Sequence, residues 1–204
     1  GIKKIDYLIA THPHEDHIGG LDKVIKNFDI GKIIMPKVSH TTKTFEDVLL
    51  AVKKKGLKIT APKPGDTFLL GKAICTVLSP ERTKYKDLNN YSVVLHLQYE
   101  EFSFLFTGDA ESLVEKEIMS KDANISANVL KVGHHGSFTS TATDFLAQIN
   151  PQFAVISVGK ANDYGHPHQE TMARLKKQGV TVYRTDESGT ITVQIDQGKL
   201  RFNH

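Results

Sequence analysis

The stretch that most constrains this chain is Thr11-His12-Pro13-His14-Glu15-Asp16-His17-Ile18-Gly19-Gly20, which packs three histidines and an aspartate into six positions. Imidazole and carboxylate together suit a borderline divalent metal such as Zn²⁺, or Mn²⁺ where more oxygen ligands are supplied. Residues two apart in an extended segment point the same way, so His12 and His14 can grip one ion, and a turn at Asp16-His17 can address a second. The apolar run Ile5–Ala10 reads as a buried strand, and Leu21, Val24, Ile25 and Phe28 recur at helical spacing. The cluster therefore lies on a strand-to-helix loop, where a rigid scaffold positions functional side chains.

The alternation continues. Gly31–Met35 reads as a strand ended by Pro36, and Thr44–Lys55 as an amphipathic helix with Thr44 as N-cap, Asp47 three residues on and Gly56 as its stop. Leu57–Thr60 is a short strand, which completes β-α-β units. After the turn at Pro62–Asp66 come strand-like runs at Thr67–Leu70, Ala73–Leu78, Tyr91–Tyr99 and Phe102–Phe106, a series expected to pair antiparallel. Helices follow at Glu111–Met119, Thr143–Ile149 and Gln169–Gln178, and strands at Asn128–Val132, Phe153–Val158, Val180–Arg184, Thr190–Ile195 and Leu200–Phe202. The pattern predicts a layered α/β (α+β) fold in one domain, 1–204, since 204 residues suffice for one substantial core.

Composition removes several classes. No apolar run reaches the ~18 residues that cross a bilayer, and Cys75, the one cysteine, excludes an internal disulfide or a cysteine-based zinc site. It sits in a strand-like run as a small buried residue. A net charge of +3 does not by itself argue for nucleic acid. Gly1 falls almost directly on a strand, so the chain reads as a domain excised from a larger protein.

Four polar clusters occupy equivalent places: His12/His14/Asp16/His17, Asp109 in Thr107-Gly108-Asp109, His134/His135, and His166/His168. Each follows a strand, and strand ends in layered α/β proteins gather on one edge. Seven of the ten histidines lie in these loops, which favours convergence on one site. A carboxylate such as Asp109 can bridge two cations and offset their repulsion, a role that suits imidazole poorly.

His12-Pro-His14-Glu-Asp16-His17, Thr107-Gly108-Asp109 and His134-His135-Gly136-Ser137 resemble successive motifs of the metallo-β-lactamase superfamily. With Asn89-Asn90-Tyr91-Ser92, Lys131-Val132-Gly133, Tyr164-Gly165-His166-Pro167-His168 and Tyr183-Arg184-Thr185-Asp186, the chain more narrowly resembles the hydrolase domain of ComEC-type DNA-internalisation (competence) proteins. The resemblance implies an αββα sandwich with two divalent metal ions (Zn or Mn) in the groove between its sheets. His12 and His14 would hold the first metal, Asp16 and His17 the second, with Asp109 bridging and either His134 or His135 completing the second site. His166 and His168 would face the substrate, assisted by Asn90, Ser92 and Ser137. Many superfamily members place another histidine ligand before the bridging aspartate. Here that region offers Asn89, Asn90, Ser92 and, in a strand, His96, for which a packed position is expected. The first metal is thus expected to be under-coordinated and manganese-preferring. Relatives also carry strands and a helix before the position of Gly1, so the sandwich is expected to lack its N-terminal strands and to expose a sheet edge.

The implied activity is phosphodiester hydrolysis of DNA, single-stranded in competence-type uptake, with a metal-bound hydroxide as nucleophile and Asp16 and Asp109 orienting or deprotonating the water. The alternatives are hydrolysis of a small ester (a phosphorylcholine ester, a lactone or a β-lactam) on the same site, and a non-catalytic DNA-binding module. The chain carries no membrane segment, but the resemblance admits a membrane-channel domain in the parent protein and hence an extracytoplasmic or membrane-associated place.

Overall fold

The computed structural model describes residues 1–121 and 123–203. A three-stranded parallel sheet runs β1 (Lys4–Ile9), β2 (Asp29–Ile34), β3 (Ile59–Thr60) in that order. Between β1 and β2 lie α1 (Glu15–Ile18) and α2 (Leu21–Asn27), and between β2 and β3 lies α3 (Lys43–Lys54). Parallel pairing needs such crossovers, which bring every strand into the same end of the sheet.

The second sheet has seven strands in the order β10-β9-β8-β7-β6-β5-β4. Its antiparallel half, β4 (Thr67–Leu70), β5 (Ala73–Ser79), β6 (Val94–Tyr99) and β7 (Phe102–Phe106), follows the sequence expectation. The half formed by β7, β8 (Val129–Lys131), β9 (Phe153–Ile156) and β10 (Thr181–Arg184) is parallel, and α4 (Ser112–Met119), α5 (Thr143–Ile149) and α6 (Gln169–Lys177) supply its crossovers. The short helix α7 (Thr185–Ser188) leads to the hairpin of β11 (Thr192–Asp196) and β12 (Lys199–Asn203). Phe202 of that hairpin lies against Phe153 and Tyr183.

Three cores define the layers. Leu8, Ile33 and Met35 pack with Phe45 and Val48 of α3; Ile34, Val77, Val93 and Leu95 pack between the two sheets; Leu105, Leu130 and Ile156 pack with Val114, Phe145 and Leu175 of the second helical layer. Adjacent residues of β2, Ile33 and Ile34, enter different cores because strand side chains alternate. The result is the expected helix–sheet–sheet–helix sandwich. Cys75 is buried in β5, and His96 is buried in β6 with Nε2 2.9 Å from the Ser126 carbonyl, the packed position expected for it. Among the described residues no helix is long and apolar enough to cross a membrane.

Two local expectations are corrected. The N-cap of α3 is Thr42, whose hydroxyl accepts the Phe45 N–H at 3.4 Å; Thr44 instead donates to Glu15 at 3.0 Å, and Asp47 pairs with Lys43 one turn back. Thr42 has the extended backbone a cap requires, two residues earlier than the apolar periodicity suggests. The stop at Gly56 stands as expected: at φ +65°, it lets Gly56 and Leu57 donate to the carbonyls of Lys53 and Val52. The second correction concerns Tyr91, which ends a 3₁₀ turn, Leu88–Tyr91, and does not begin a strand. Asp87 caps that turn through the Asn89 N–H, and the Tyr91 hydroxyl accepts the Tyr85 N–H, so the alternation from Tyr91 becomes strand only at Val94.

Candidate metal centre

The loops after β1, β7, β8 and β9 meet at one edge of the sandwich, where the strand ends gather. The most ordered group there is Asp16, His17, Asp109 and His135, whose candidate ligand atoms all lie within 4.8 Å of one another. His17 Nε2 stands 3.3 Å from His135 Nε2, 3.3 Å from Asp16 Oδ2 and 3.2 Å from Asp109 Oδ2. His135 Nε2 stands 3.0 Å from Asp16 Oδ2 and 3.3 Å from Asp109 Oδ2. Four ligands held tetrahedrally at zinc-like bond lengths are about 3.3 Å apart. Five of the six edges lie near that figure and all lie within 4.8 Å, so the four donors can gather around one divalent cation.

Local backbone explains the aim of each donor. His134 and His135 both adopt left-handed backbone, φ 47° and 54°, which turns consecutive imidazoles in different directions. His135 Nδ1 lies 2.7 Å from the Ser157 carbonyl, which holds a proton on Nδ1 and aims Nε2 at the two aspartates. His134 turns away: its Nδ1 faces Thr139 and Glu111, and its Nε2 is 3.5 Å from the Asn89 amide. The choice that the sequence leaves open thus favours His135 in the second group.

His12 is fully buried, with Nδ1 3.1 Å from the Thr11 hydroxyl and 3.3 Å from that of Ser92. Its Nε2 is 3.1 Å from His14 Nδ1 and 3.8 Å from Asp109 Oδ2. His12 and His14 therefore present a second nitrogen pair beside Asp109 Oδ2, the oxygen that His17 and His135 also face. The other oxygen of Asp109, Oδ1, is buried without a hydrogen-bond partner, an expensive state that a cation would relieve. Among the described residues a further imidazole near this pair is that of His40, whose ring centre lies 6.3 Å from that of His14 and whose Nδ1 lies 2.9 Å from the Thr42 hydroxyl. His134 shares the cleft wall with His14, and the buried Asn89 Oδ1 has no partner.

The electrostatics favour positive charge at this centre. Hydrogen bonds with Asp109 and Asp16 push His135 up to about 10. Burial opposes charging of His17, yet its contacts with Asp109 and Asp16 outweigh it and raise the pKa. Burial likewise works against ionising Asp109, but His135 and His17 hold its carboxyl far below the usual range, and they do the same for the more exposed Asp16. Burial and the neighbouring His17 lower His12 to about 3, so it stays neutral with its lone pair available for ligation.

The remaining expected residues take distinct places. His166 stacks over His135 with ring centres 6.2 Å apart and lines the cleft; burial and then repulsion from His168 and His134 bring it to about 4. His168 Nδ1 accepts the Phe138 N–H at 3.0 Å, which leaves its proton on Nε2. Asn90, Ser92 and Ser137, expected at the substrate, are buried and bonded within the protein. Asn90 holds Glu111, Ser92 holds Asp109, and Ser137 bonds Thr139. Thr11, which contacts both His12 and His17, and Glu111, beside His134, were not singled out from sequence; Thr11 opens the first motif, but nothing in the local sequence marks Glu111. The cleft itself, ≈ 590 Å³, is lined by His14, Glu15, Asp16, Asp109, His134, His135, Tyr164 and His166.

Comparison with known proteins gives the family of this fold. A family described as the metallo-beta-lactamase superfamily matches residues 1–160. The chain is 41% identical over 191 residues to ComE operon protein 3 of Bacillus subtilis (strain 168), covering 94% of this chain and 25% of that protein. It is 30% identical over 206 residues to Competence protein ComA of Neisseria gonorrhoeae, covering 98% of this chain and 27% of that protein. The chain thus spans about a quarter of the length of these relatives. Among solved structures, Tm1679, described as a metal-dependent hydrolase of the beta-lactamase superfamily, shares the fold at a TM-score of 0.52 with 13% identity over 86% of this chain and 75% of that one. With its fold and the match over residues 1–160 in agreement, the chain belongs to the metallo-beta-lactamase superfamily, a family of metal-dependent hydrolases.

Proposed function

We propose that this domain hydrolyses phosphodiester bonds of DNA, with His12 and His14 holding one divalent metal, Asp16, His17 and His135 a second, and Asp109 shared between them. The observation that supports the reading is the gathering of His12, His17 and His135 around Asp109 Oδ2, with Asp109 Oδ1 left unpartnered and the group open to a cleft. Divalent metals bound there would supply Lewis acidity and an activated water nucleophile. The chain's own residues do the rest. Asp16, with a side chain 58% exposed, reaches into the cleft and can hold the attacking water by hydrogen bond. His166, neutral at physiological pH, and His168, with its proton on Nε2, face the position of the phosphoryl and leaving oxygens. The resemblance to a competence protein points to DNA and to a place in DNA uptake, within a longer parent protein that brings the membrane passage.

The test is metal analysis of the purified protein together with cleavage of single-stranded DNA in Mn²⁺, Mg²⁺ and Zn²⁺. Asp109→Ala is expected to abolish metal-dependent cleavage, and undiminished cleavage by that variant would overturn the reading. A panel of phosphorylcholine esters, lactones and β-lactams separates DNA from a small ester substrate.

A further inference from the structure

Beyond the candidate ligands, Tyr164 on the cleft wall and Phe138 beside His168 carry exposed aromatic rings that neither the core nor metal ligation uses. Tyr164 is 78% exposed and Phe138 58% exposed. The rings form a continuous series with the centre. His135 and His166 are near-parallel at 19°, and His166 and Tyr164 are near-parallel at 20° with centres 5.7 Å apart. On the other flank, His168 meets His166 edge-on at 4.7 Å, and Phe138 lies 5.1 Å from His168. Two exposed aromatic faces therefore flank His166.

Both rings stand on rigid supports. The Asn162 amide donates to the carbonyls of Gly159 and His166 and accepts the N–H groups of Tyr164 and His166, so one side chain ties the loop into a fixed shape. Phe138 donates its N–H to His168, and its carbonyl accepts Arg174. Tyr164 and His166 also form the boundary between the main cleft and a second hollow of ≈ 380 Å³, lined further by Ser157, Asn162 and Thr185. A strand passing from one to the other crosses the Tyr164 ring.

We infer that Tyr164 and Phe138 are stacking platforms for the nucleobases that flank the scissile phosphodiester of a single strand. This rests on the DNA reading above and adds to it the form of the substrate. Two planar apolar faces separated by a polar histidine centre match a polymer that alternates planar bases with charged phosphates; a continuous apolar partner would meet His166 and His168 between them. Base faces are available for stacking only in an unpaired strand, and every base has one, so the arrangement selects single strands and tolerates sequence.

The chain has no tryptophan, so Tyr164→Trp creates a lone reporter at the platform. Its fluorescence should be quenched by oligothymidylate and unaffected by an abasic oligonucleotide of equal length. Tyr164→Ala should bind oligothymidylate about tenfold more weakly, with abasic binding unchanged and Tyr164→Phe like the wild type. Equal quenching by the abasic strand, or oligothymidylate binding undiminished in Tyr164→Ala, overturns the inference. A wild type that binds and cleaves abasic and base-bearing strands equally overturns it while leaving the nuclease reading in place. A wild type that neither binds nor cleaves either strand overturns both.

Discussion

The Ser92 hydroxyl accepts the Asp109 N–H at 2.9 Å and stands 3.3 Å from His12 Nδ1, so one buried side chain touches both Asp109 and the most buried imidazole of the candidate centre. Ser92→Ala leaves the Asp109 N–H buried without a partner, at a cost of about 1–3 kcal/mol. It also leaves the His12 ring to the Thr11 hydroxyl alone, and loss of such an outer support weakens metal binding by about tenfold or more. Chelator competition with Mn²⁺ or Zn²⁺, alongside thermal denaturation, measures both effects. Wild-type metal affinity in this variant would show that Ser92 does not position the ligands.

The two adjacent histidines should separate cleanly in metal stoichiometry. His135→Ala removes one of the four candidate donors, the others being Asp16, His17 and Asp109, so the protein is expected to lose close to one equivalent of metal. His134→Ala leaves that set intact, because His134 faces Asn89, Thr139 and Glu111. Elemental analysis of the two variants after dialysis checks this. Equal losses would place both imidazoles on metal.

The first cluster was legible because its donors are close in sequence, and its neighbours Ile5–Ala10 and Leu21–Phe28 carry clear periods that set it between a strand and a helix. The assignment of His135 over His134 was not. It depends on two successive left-handed residues and on a carbonyl 22 positions away, Ser157, neither of which leaves a pattern in side-chain types. The same holds for Ser92. In sequence it is one polar residue in an apparently alternating strand, and only the 3₁₀ turn Leu88–Tyr91 lifts it beneath Asp109. Asn90 and Ser137 are expected at the substrate from the family resemblance, whereas in the structure both are buried and bond within the protein.

Glu115 gives the fold a pH dependence of its own. It is buried in α4, and its carboxylate accepts the N–H groups of Thr141 and Ala142 where α5 begins. Burial outweighs those two bonds and raises its pKa from the usual 4.5 to about 7. Between these values the folded chain keeps a proton that the unfolded chain has lost, so this group's contribution to stability falls as pH rises from about 4.5 to about 7. The full change is on the order of 3 kcal/mol. Denaturant titrations at several pH values should show the wild type losing stability across this window relative to Glu115→Gln, in which the group cannot titrate. Parallel pH profiles for the two proteins would remove Glu115 as the cause.

Gly136 couples the histidine turn to the substrate loop. It sits at φ +84°, where a Cβ would lie 2.5 Å from Pro167 Cβ, and its carbonyl accepts the His168 N–H at 3.0 Å. Gly136→Ala must therefore push Pro167 outward, and with it His166 on one side and His168 on the other. Gly165, at φ +70° with nothing within 4 Å of an added Cβ, provides the control: alanine there meets backbone strain alone. Both variants should lose about 1 kcal/mol of stability from the left-handed backbone. Gly136→Ala should in addition lower the cleavage rate at saturating metal, while metal affinity stays near the wild type because Asp16, His17, Asp109 and His135 are not displaced. Rates and chelator titrations on the pair decide the matter. If both variants cleave equally well, the contact between Gly136 and Pro167 does not position His166 and His168 for the reaction.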